Sequence, residues 1–597
     1  MQSVASDIFE TIDTPRSLAA YLLLKNKEYE QLVSLEVNPD NYRNAHAFAD
    51  DYLVSKFLSK YPDFRHENLR PKEKAMESFL EFEAACLATN QKFRVLRLDP
   101  YLWDPQMAVI FRLAKRKISS VLRAPDLDRI SRGFGWGPGA TSVAKGHHTS
   151  AYVKFAQRLD VTSDSLVMGM CCVNSTPSWV NCQLQTDEFP SVNVSLTSNA
   201  FNVVRGNEIV FVPKNAKIDR IIAKEPHVNS YLQKGFGCEI RRLLRVYADV
   251  DLKDQTYNQR LAKAGSLHGD LATIDLRGAS DTISQELVRY LLPNSWYGLL
   301  DQIRSKHGFL REDGSWLCYQ KFSSMGNACT FELESLIFWA LCKSCLEVNG
   351  LEHSILNVYG DDIVIPVSAY PAVVKVLNFA GFIVNEKKSF SSGRFRESCG
   401  KDYFDGIDVR PIFLKESVSN AESLFKLANS IRRYSHSRNF NYGCDIRFHA
   451  AWLRLCEHIP DVFRNLKIAE NFGDCGLVSN FDEACPSRPQ KGWEGFLFKG
   501  LIRLPVKQVM RDEHAGYTAL LSVTGNGSDV DLAHKLNKSF WTRLTFPHDS
   551  LRDHEDFVRR FVSEQLPLLG HHDLRKMTYP KITRIHTKSW YDFGPWQ

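Results

Sequence analysis

The sequence lacks most features that would place it outside the soluble, globular class. No apolar run approaches the roughly 20 residues that a membrane-spanning helix needs; the longest, 336–348, is interrupted by Lys343. Residues 1–30 carry no secretory leader pattern. The 14 cysteines show no repeating metal-ligand spacing, and Cys342-Lys-Ser-Cys345 is the one CxxC. No second pair answers it, and it falls in an apolar, helical stretch, so it reads as core packing rather than a zinc site. Free thiols in a reducing cytosol, with no membrane partner, are therefore expected. There is no internal repeat and no low-complexity linker. A chain of 597 residues is too long for one simple core, so roughly two to four interlocked subdomains are expected.

Charge of one sign is also scarce overall, since 75 Lys and Arg face 69 Asp and Glu for a net +6. The surplus is local. Residues 211–245 hold Lys214, Lys217, Arg220, Lys224, Lys234, Arg241, Arg242 and Arg245 against Asp219, Glu225 and Glu239, eight against three, or +5. Charge runs usually form solvated faces. Here the cations of 211–226 alternate with Val, Ile and Ala, which implies partial burial, and buried cations need anions. A polyanionic partner such as a nucleoside triphosphate or nucleic acid would supply them.

Against that background one stretch stands out, Ile355-Leu-Asn-Val-Tyr-Gly-Asp-Asp-Ile-Val-Ile-Pro366. Two short Val- and Ile-rich runs joined by a Gly-Asp pair read as a β-hairpin, with Asp361 and Asp362 at its tip. Gly-Asp-Asp also serves as an ordinary turn. The alternative is a divalent metal site, because adjacent carboxylates repel and a hard cation relieves them. Leu271-Ala-Thr-Ile-Asp-Leu276 is a second apolar strand ending in a carboxylate, Asp275, with Asp281 shortly after. If it pairs beside the hairpin, about 5 Å away, Asp275 meets Asp361 and Asp362, the arrangement that two-metal phosphoryl transfer requires.

The remaining blocks are less distinctive. Residues 17–28 and 71–88 carry apolar side chains at helical spacing and read as a packing layer. Gly133-Phe-Gly-Trp-Gly-Pro-Gly-Ala140 is a glycine-rich loop followed by Lys145, His147 and His148. No Walker lysine-hydroxyl pair follows, which favours plain loop geometry over phosphate binding, and the histidines read as solvated or core residues. A polar loop at 322–327 leads into an acidic-headed, then apolar, helix. A helix is expected at 369–379, followed by Lys387 and Lys388, and a further hairpin at 395–411. Basic residues interleave with aromatics in 575–596; single-stranded nucleic acid and a docked tail account for this equally.

Together these blocks resemble the motifs of right-hand viral RNA-dependent RNA polymerases, most closely the replicase subunit of the leviviruses, the small positive-strand RNA bacteriophages. Val212-Pro-Lys-Asn-Ala-Lys-Ile-Asp-Arg220 resembles the basic finger motif of that family. Leu271-Ala-Thr-Ile-Asp275 with Ala279-Ser-Asp281 resembles the first palm motif, Ser323-Ser-Met-Gly-Asn327 with Thr330-Phe-Glu-Leu-Glu334 the second, and Tyr359-Gly-Asp-Asp362 the third; Phe395-Arg-Glu-Ser-Cys-Gly400 is typical of the phage branch. The motifs are clear over 205–415. The resemblance implies an α+β, right-hand fold. A helical region at 1–130 would pack on palm and fingers, with fingers at 131–265, palm at 266–415, and thumb and C-terminal region at 416–597. It implies primer-independent copying of RNA with ribonucleotides in a bacterial host cytoplasm. Asp275 and Asp361 would bind two Mg²⁺ ions, with Mn²⁺ as an alternative and Asp362 beside them. Lys214, Lys217, Arg220 and Lys224 would hold the triphosphate. Asp281, Gly326, Asn327 and Thr330 would contact the nucleotide, and Lys387 or Lys388 would protonate pyrophosphate. Host elongation factors Tu and Ts and a host ribosomal protein are the implied partners.

Three positions depart from the common pattern. Met325 replaces a Ser, Glu334 stands where Asn is usual, and Arg277 replaces a small residue. Either Asn327 or Glu334 would then sense the ribose 2′-hydroxyl. A reverse transcriptase would place an aromatic ring five positions after Asp275, where this chain has Ser280. A non-catalytic RNA-binding subunit would explain the cations but not three converging acids.

Overall fold

The computed structural model describes residues 1–64, 69–146, 149, 154–184, 195–439, 441–489, 494–505 and 578–597. His147, His148 and residues 575–577 of the basic-aromatic tail lie outside these. The fold is mixed α and β, with many helices around several small sheets. Among the described residues no helix is long and apolar enough to cross a membrane.

The helix Thr330–Val348 is the centre of the molecule. Its sequence is mostly apolar, broken chiefly by Glu334, Lys343 and Glu347, and a helix of that pattern is largely surrounded. Leu333, Leu336, Ile337, Phe338, Leu341 and Leu346 are fully buried. The helices Pro105–Leu122, His227–Tyr247 and Tyr370–Ala380 pack around it. Cys342 and Cys345 are both fully buried, free thiols in this core, as their apolar setting suggests.

The hairpin forms as expected. Asn357–Tyr359 pairs antiparallel with Asp362–Pro366, and Leu271–Ile274 adds to the other edge of Asp362–Pro366. Every residue of Leu271–Ile274 is buried, which explains its continuous apolar character. Tyr359 faces Asp362 across a two-residue turn whose Gly360 has φ +60°, a conformation glycine adopts without strain.

The basic segment is also a hairpin, Asn207–Pro213 with Asp219–Lys224, extended by His307–Leu310 and Ser315–Cys318. The 323–327 loop docks on its edge. The Ala223 N–H donates to the Met325 carbonyl at 2.7 Å. Gly326 sits at φ +118°, and a Cβ there would lie 2.1 Å from the Ala223 carbonyl oxygen.

Two large hydrophobic clusters divide the chain. One runs from Phe93 to Phe382. The other joins 4–69 to 412–501 and includes Ala216 at the tip of the basic hairpin, whose N–H donates to the Ser59 carbonyl at 3.2 Å. The first 130 residues are therefore shared. Residues 4–69 side mainly with the C-terminal region, and only the later helices join the central core. A small cluster of Ala45, Phe48 and Tyr52 with Phe395, Phe404 and Val409 ties the two together.

The described part of the tail is docked. Thr578–Thr587 runs antiparallel to Phe496–Pro505. The N–H groups of Cys444 and Gln597 donate to the carbonyls of Pro595 and Cys444, and Trp596 stacks on His449 at 4.9 Å. The glycine-rich loop likewise serves the fold, since the buried Lys154 donates to the carbonyls of Gly137 and Gly139 at 2.8 and 2.7 Å.

Gly326→Ala meets both a positive φ and a backbone oxygen, and should cost about 2 kcal/mol or more in chemical denaturation. Gly298→Ala, with nothing near its added Cβ and a place inside the helix Asn294–Ile303, should be neutral or stabilising by up to about 1 kcal/mol.

Candidate active site

The strand register assembles the acids. Ile274 pairs with Ile363, so Asp275 and Asp362 leave their strands side by side, with Asp361 in the adjoining turn. Asn385 donates its amide to Asp275 Oδ2 at 2.7 Å. The Cys399 N–H and Ser398 Oγ donate to Asp362 Oδ1 at 3.0 and 3.2 Å. Burial pushes Asp362 up to about 6, and the Asp361 and Asp275 charges add to this. Burial also raises Asp275, with Asp361 and Glu397 adding to it against Lys388 and the Asn385 hydrogen bond.

Among the described residues, no three His, Cys, Asp or Glu side chains form a group that could hold a metal ion as they stand. The backbone brings the acids to one end of the sheet, but the side chains do not close on one point. Like charges repel, and each carboxylate takes the nearest donor, Asn385 for Asp275 and the 398–399 turn for Asp362. The donor chemistry nevertheless suits a hard divalent cation. Asp275 and Asp362 are half-buried oxygen donors whose charged forms are disfavoured by burial and by their neighbours, a strain that a cation would relieve.

The four cations of the basic hairpin part company. Lys214 lies within electrostatic reach of Asp275, Asp361 and Lys388; burial, then Arg220 and Lys388, hold it below the usual lysine range. Lys217 turns toward Glu36, Lys56 and Lys387. Lys224 sits opposite Glu208 in the strand register, and Glu208 accepts from Lys145 and Arg311 at 3.1 and 2.6 Å. The neighbouring lysines separate in the same way. Lys387 is exposed and bonds Glu36 at 2.9 Å. Lys388 stands 3.8 Å from Glu397; burial would lower it, but Glu397, Asp275 and Asp362 outweigh that and raise it.

The second motif is rigid. Asn327 Oδ1 accepts from the Cys329 N–H at 3.0 Å, which caps the approach to the central helix. Thr330 Oγ1 donates to Ser323 Oγ and to the Ser324 carbonyl at 3.0 and 3.2 Å. Glu334 projects under the acid hairpin, where Ser280 Oγ donates to its Oε2 at 2.7 Å. Burial pushes Glu334 up to about 8, with Asp361, Glu332 and Asp281 adding repulsion. Asp281 Oδ1 accepts from the buried Lys321 at 2.7 Å, and Glu83 of the helix Pro71–Leu98 lies 3.6 Å from the same ammonium.

Several charged residues near the acids carry no sequence signal of their own. Glu397 lies in the strand Phe395–Ser398 and faces Lys388; only its block, 395–400, is recognisable. Lys60, Arg410 and Lys415 surround the ring of Phe413 at 3.9, 5.2 and 5.9 Å. Burial, then Lys415, Arg410 and Lys388, depress Lys60 to about 8. Lys60 and Lys415 are some 350 positions apart, and nothing local marks either.

A family profile described as RNA replicase, beta-chain, matches residues 1–494. The RNA-directed RNA polymerase beta chain of Enterobacteria phage fr is 35% identical over 438 residues, 72% of this chain and 76% of that one. The RNA-directed RNA polymerase subunit beta of Escherichia virus Qbeta is 35% identical over 459 residues, 76% of this chain and 72% of that one. The beta chain of Escherichia phage MS2 is 34% identical over 478 residues, 80% and 81% respectively. The chain belongs to the RNA replicase beta-chain family. Membership extends to residue 1, well before the 205–415 span in which the motifs are legible. It thus takes in the helix that supplies Glu83 and the turn that supplies Lys60, a region that motif reading treats as packing.

Glu334 yields a prediction for this replicase-family chain. Folded, it holds its proton up to about 8, whereas an ordinary glutamate releases it near 4.5. Its contribution to stability is therefore present at low pH and lost as pH rises between those values. Glu334→Gln, which mimics the neutral acid, should lose roughly 2–4 kcal/mol less stability than the parent between about pH 5 and 8. Urea unfolding at the two pH values checks this.

Proposed function

We propose that this RNA-directed RNA polymerase has a right-hand architecture and copies single-stranded phage RNA without a primer, by two-metal nucleotidyl transfer. Its palm would be 266–415, its fingers 131–265 and its thumb and C-terminal region 416–597, with the helices of 1–130 divided between them. The observation that carries the reading is the pairing of Leu271–Ile274 with Asp362–Pro366, which sets Asp275 beside the Gly360-Asp361 turn, opposite Lys214. The beta designation of the relatives supports an assembly of more than one subunit. Host elongation factors Tu and Ts and a ribosomal protein are the proposed partners, in the cytoplasm of a bacterial host.

In this mechanism Asp275 and Asp361 would hold two Mg²⁺ ions, with Asp362 beside them. When bound, these ions supply a lowered pKa for the attacking 3′-hydroxyl and neutralise charge on the leaving pyrophosphate. The protein supplies position and charge. Lys214, within electrostatic reach of Asp275 and Asp361, would grip the triphosphate together with Arg220. Lys217 and Lys224 face other partners and would act further along its path. Lys388 is fully charged at neutral pH, stands among the acids, and would give its proton to the departing pyrophosphate. Of the two candidates for reading the ribose 2′-hydroxyl, Asn327 is engaged with the Cys329 N–H, and Glu334, held by Ser280, would take the role. Ser280, rather than an aromatic residue, stands five positions after Asp275, which favours ribonucleotides over the deoxyribonucleotides of a reverse transcriptase.

Asp361→Asn should lower nucleotide incorporation by more than the roughly 10–100-fold typical of residues outside a metal's ligands, while RNA binding persists. Near-normal elongation by that variant would refute the assignment. Lys388→Ala should slow single-turnover incorporation by about 100-fold or more, and Lys387→Ala should have little effect. Equal effects of the two would remove Lys388 from the mechanism.

A further inference from the structure

A cavity of about 460 Å³ lies against the helix His227–Tyr247. Lys234, Arg241 and Arg245 follow one another at helical spacing on its wall. Arg242 and Lys253 complete it, against Asp251 and Glu332. These side chains carry five positive charges and two negative ones.

The arginines are held rather than merely present. Arg241 Nε donates to Glu332 Oε1 at 2.9 Å, and Arg242 donates two parallel hydrogen bonds to Glu239 at 2.9 and 2.7 Å. The two glutamates are nearly buried, at 8% and 6% side-chain exposure, while the arginine side chains they hold are 34% and 37% exposed. A guanidinium has five N–H donors in a fixed fork. A buried carboxylate that takes two of them fixes the plane and leaves the others facing outward, already ordered for an oxyanion.

The shape decides between a single anion and a chain of them. From Lys234 to Arg245 the helix rises by about 16 Å, room for several successive phosphates. The row also leads somewhere. Arg241 lies 5.9 Å from the centre of the Phe331 ring, and Phe331 packs edge-on against Tyr359 at 5.2 Å. Tyr359 is the last residue before the Gly360-Asp361 turn. Aromatic rings beside a row of cations suit bases beside a phosphate backbone; an acidic protein surface would use the cations but give the rings no role.

We propose that this cavity holds the phosphodiester backbone of a single RNA strand, independently of its sequence, as the strand approaches the acid hairpin. The inference rests on the polymerase reading and adds to it a site outside the motif residues. Lys234, Arg245 and Lys253 are the residues to change. Arg241 and Arg242 neutralise buried acids, and removing them would leave an unpaired buried charge.

The experiment uses the full chain, purified with whatever co-elutes, and a fluorescent ribo-oligonucleotide of mixed sequence. Affinity is measured as a function of salt, without nucleotides. The combined variant Lys234→Gln, Arg245→Gln, Lys253→Gln should bind roughly tenfold or more weakly at low salt. The slope of log affinity against log salt should become shallower by about 2, at about 0.7 per lost phosphate contact on a single strand. The variant Lys234→Arg, Arg245→Lys, Lys253→Arg keeps the charges and should keep the slope. Unchanged affinity and slope in a folded Gln variant would overturn the proposal. So would a loss that the charge-keeping variant shares, which marks packing alone. Intact RNA binding with loss of a co-eluting protein would assign the cavity to that protein instead, and the proposal would fall. A parent chain that binds no RNA would undo the polymerase reading itself, which the variants do not test.

Discussion

Mutual repulsion among carboxylates is the constraint around which this molecule is built. Asp275, Asp361 and Asp362 meet at one end of a three-stranded sheet, and Glu334 and Glu397 act on them from either side. None of this favours folding. It is tolerated because the strands beneath are buried on both faces and the central helix is largely buried, so the scaffold's burial outweighs the local electrostatic cost. Backbone hydrogen bonds between Leu271–Ile274 and Asp362–Pro366 fix where the acids emerge. Asn385, the 398–399 turn and Lys388 then share the charge among them.

The cations answer this crowd unevenly. Lys214 and Lys388 feel the acids directly. Lys217 and Lys387 face Glu36, a residue of the N-terminal region, so that region touches the site from outside the motifs. Its other contribution is mechanical. The cluster joining 4–69 to 412–501 reaches Ala216 at the tip of the basic hairpin, and the two ends of the chain therefore brace the loop that carries Lys214 and Lys217. Lys321 bridges Asp281 to Glu83 of the helix Pro71–Leu98. A layer that sequence periodicity marks as packing thus sets the positions of charged groups at the site.

Much of the local structure was legible, and for physical reasons. The apolar runs flanking Gly360 admit only short buried strands, and glycine permits the turn between them. The helix beginning at Thr330 is announced by its acidic first turn and long apolar body. Cys342 and Cys345 read as core because nothing nearby could complete a metal site. Other features were ambiguous because composition does not encode a partner. The basic-aromatic tail suited nucleic acid and docking equally, and the pairing of Thr578–Thr587 with Phe496–Pro505 shows its described part docked. The four cations of the basic hairpin looked equivalent along the chain, yet Lys214 comes within reach of Asp275 and Asp361, Lys217 of Glu36, and Lys224 sits opposite Glu208. The convergence of Asp275, Asp361 and Asp362 was legible as backbone placement, but side-chain donors that lie more than a hundred positions from Asp275 draw the carboxylates apart.

The sequence by itself determined which elements form, where the acids stand on them and to which family the motifs point, because these depend on residues close together in the chain. Tertiary structure alone decided which lysine of a neighbouring pair faces the acids, how Glu334 comes to keep its proton to about 8, and that the arginines of the helix His227–Tyr247 line a cavity. Each of these depends on burial and on charges brought from distant segments, and neither quantity exists until the chain has folded.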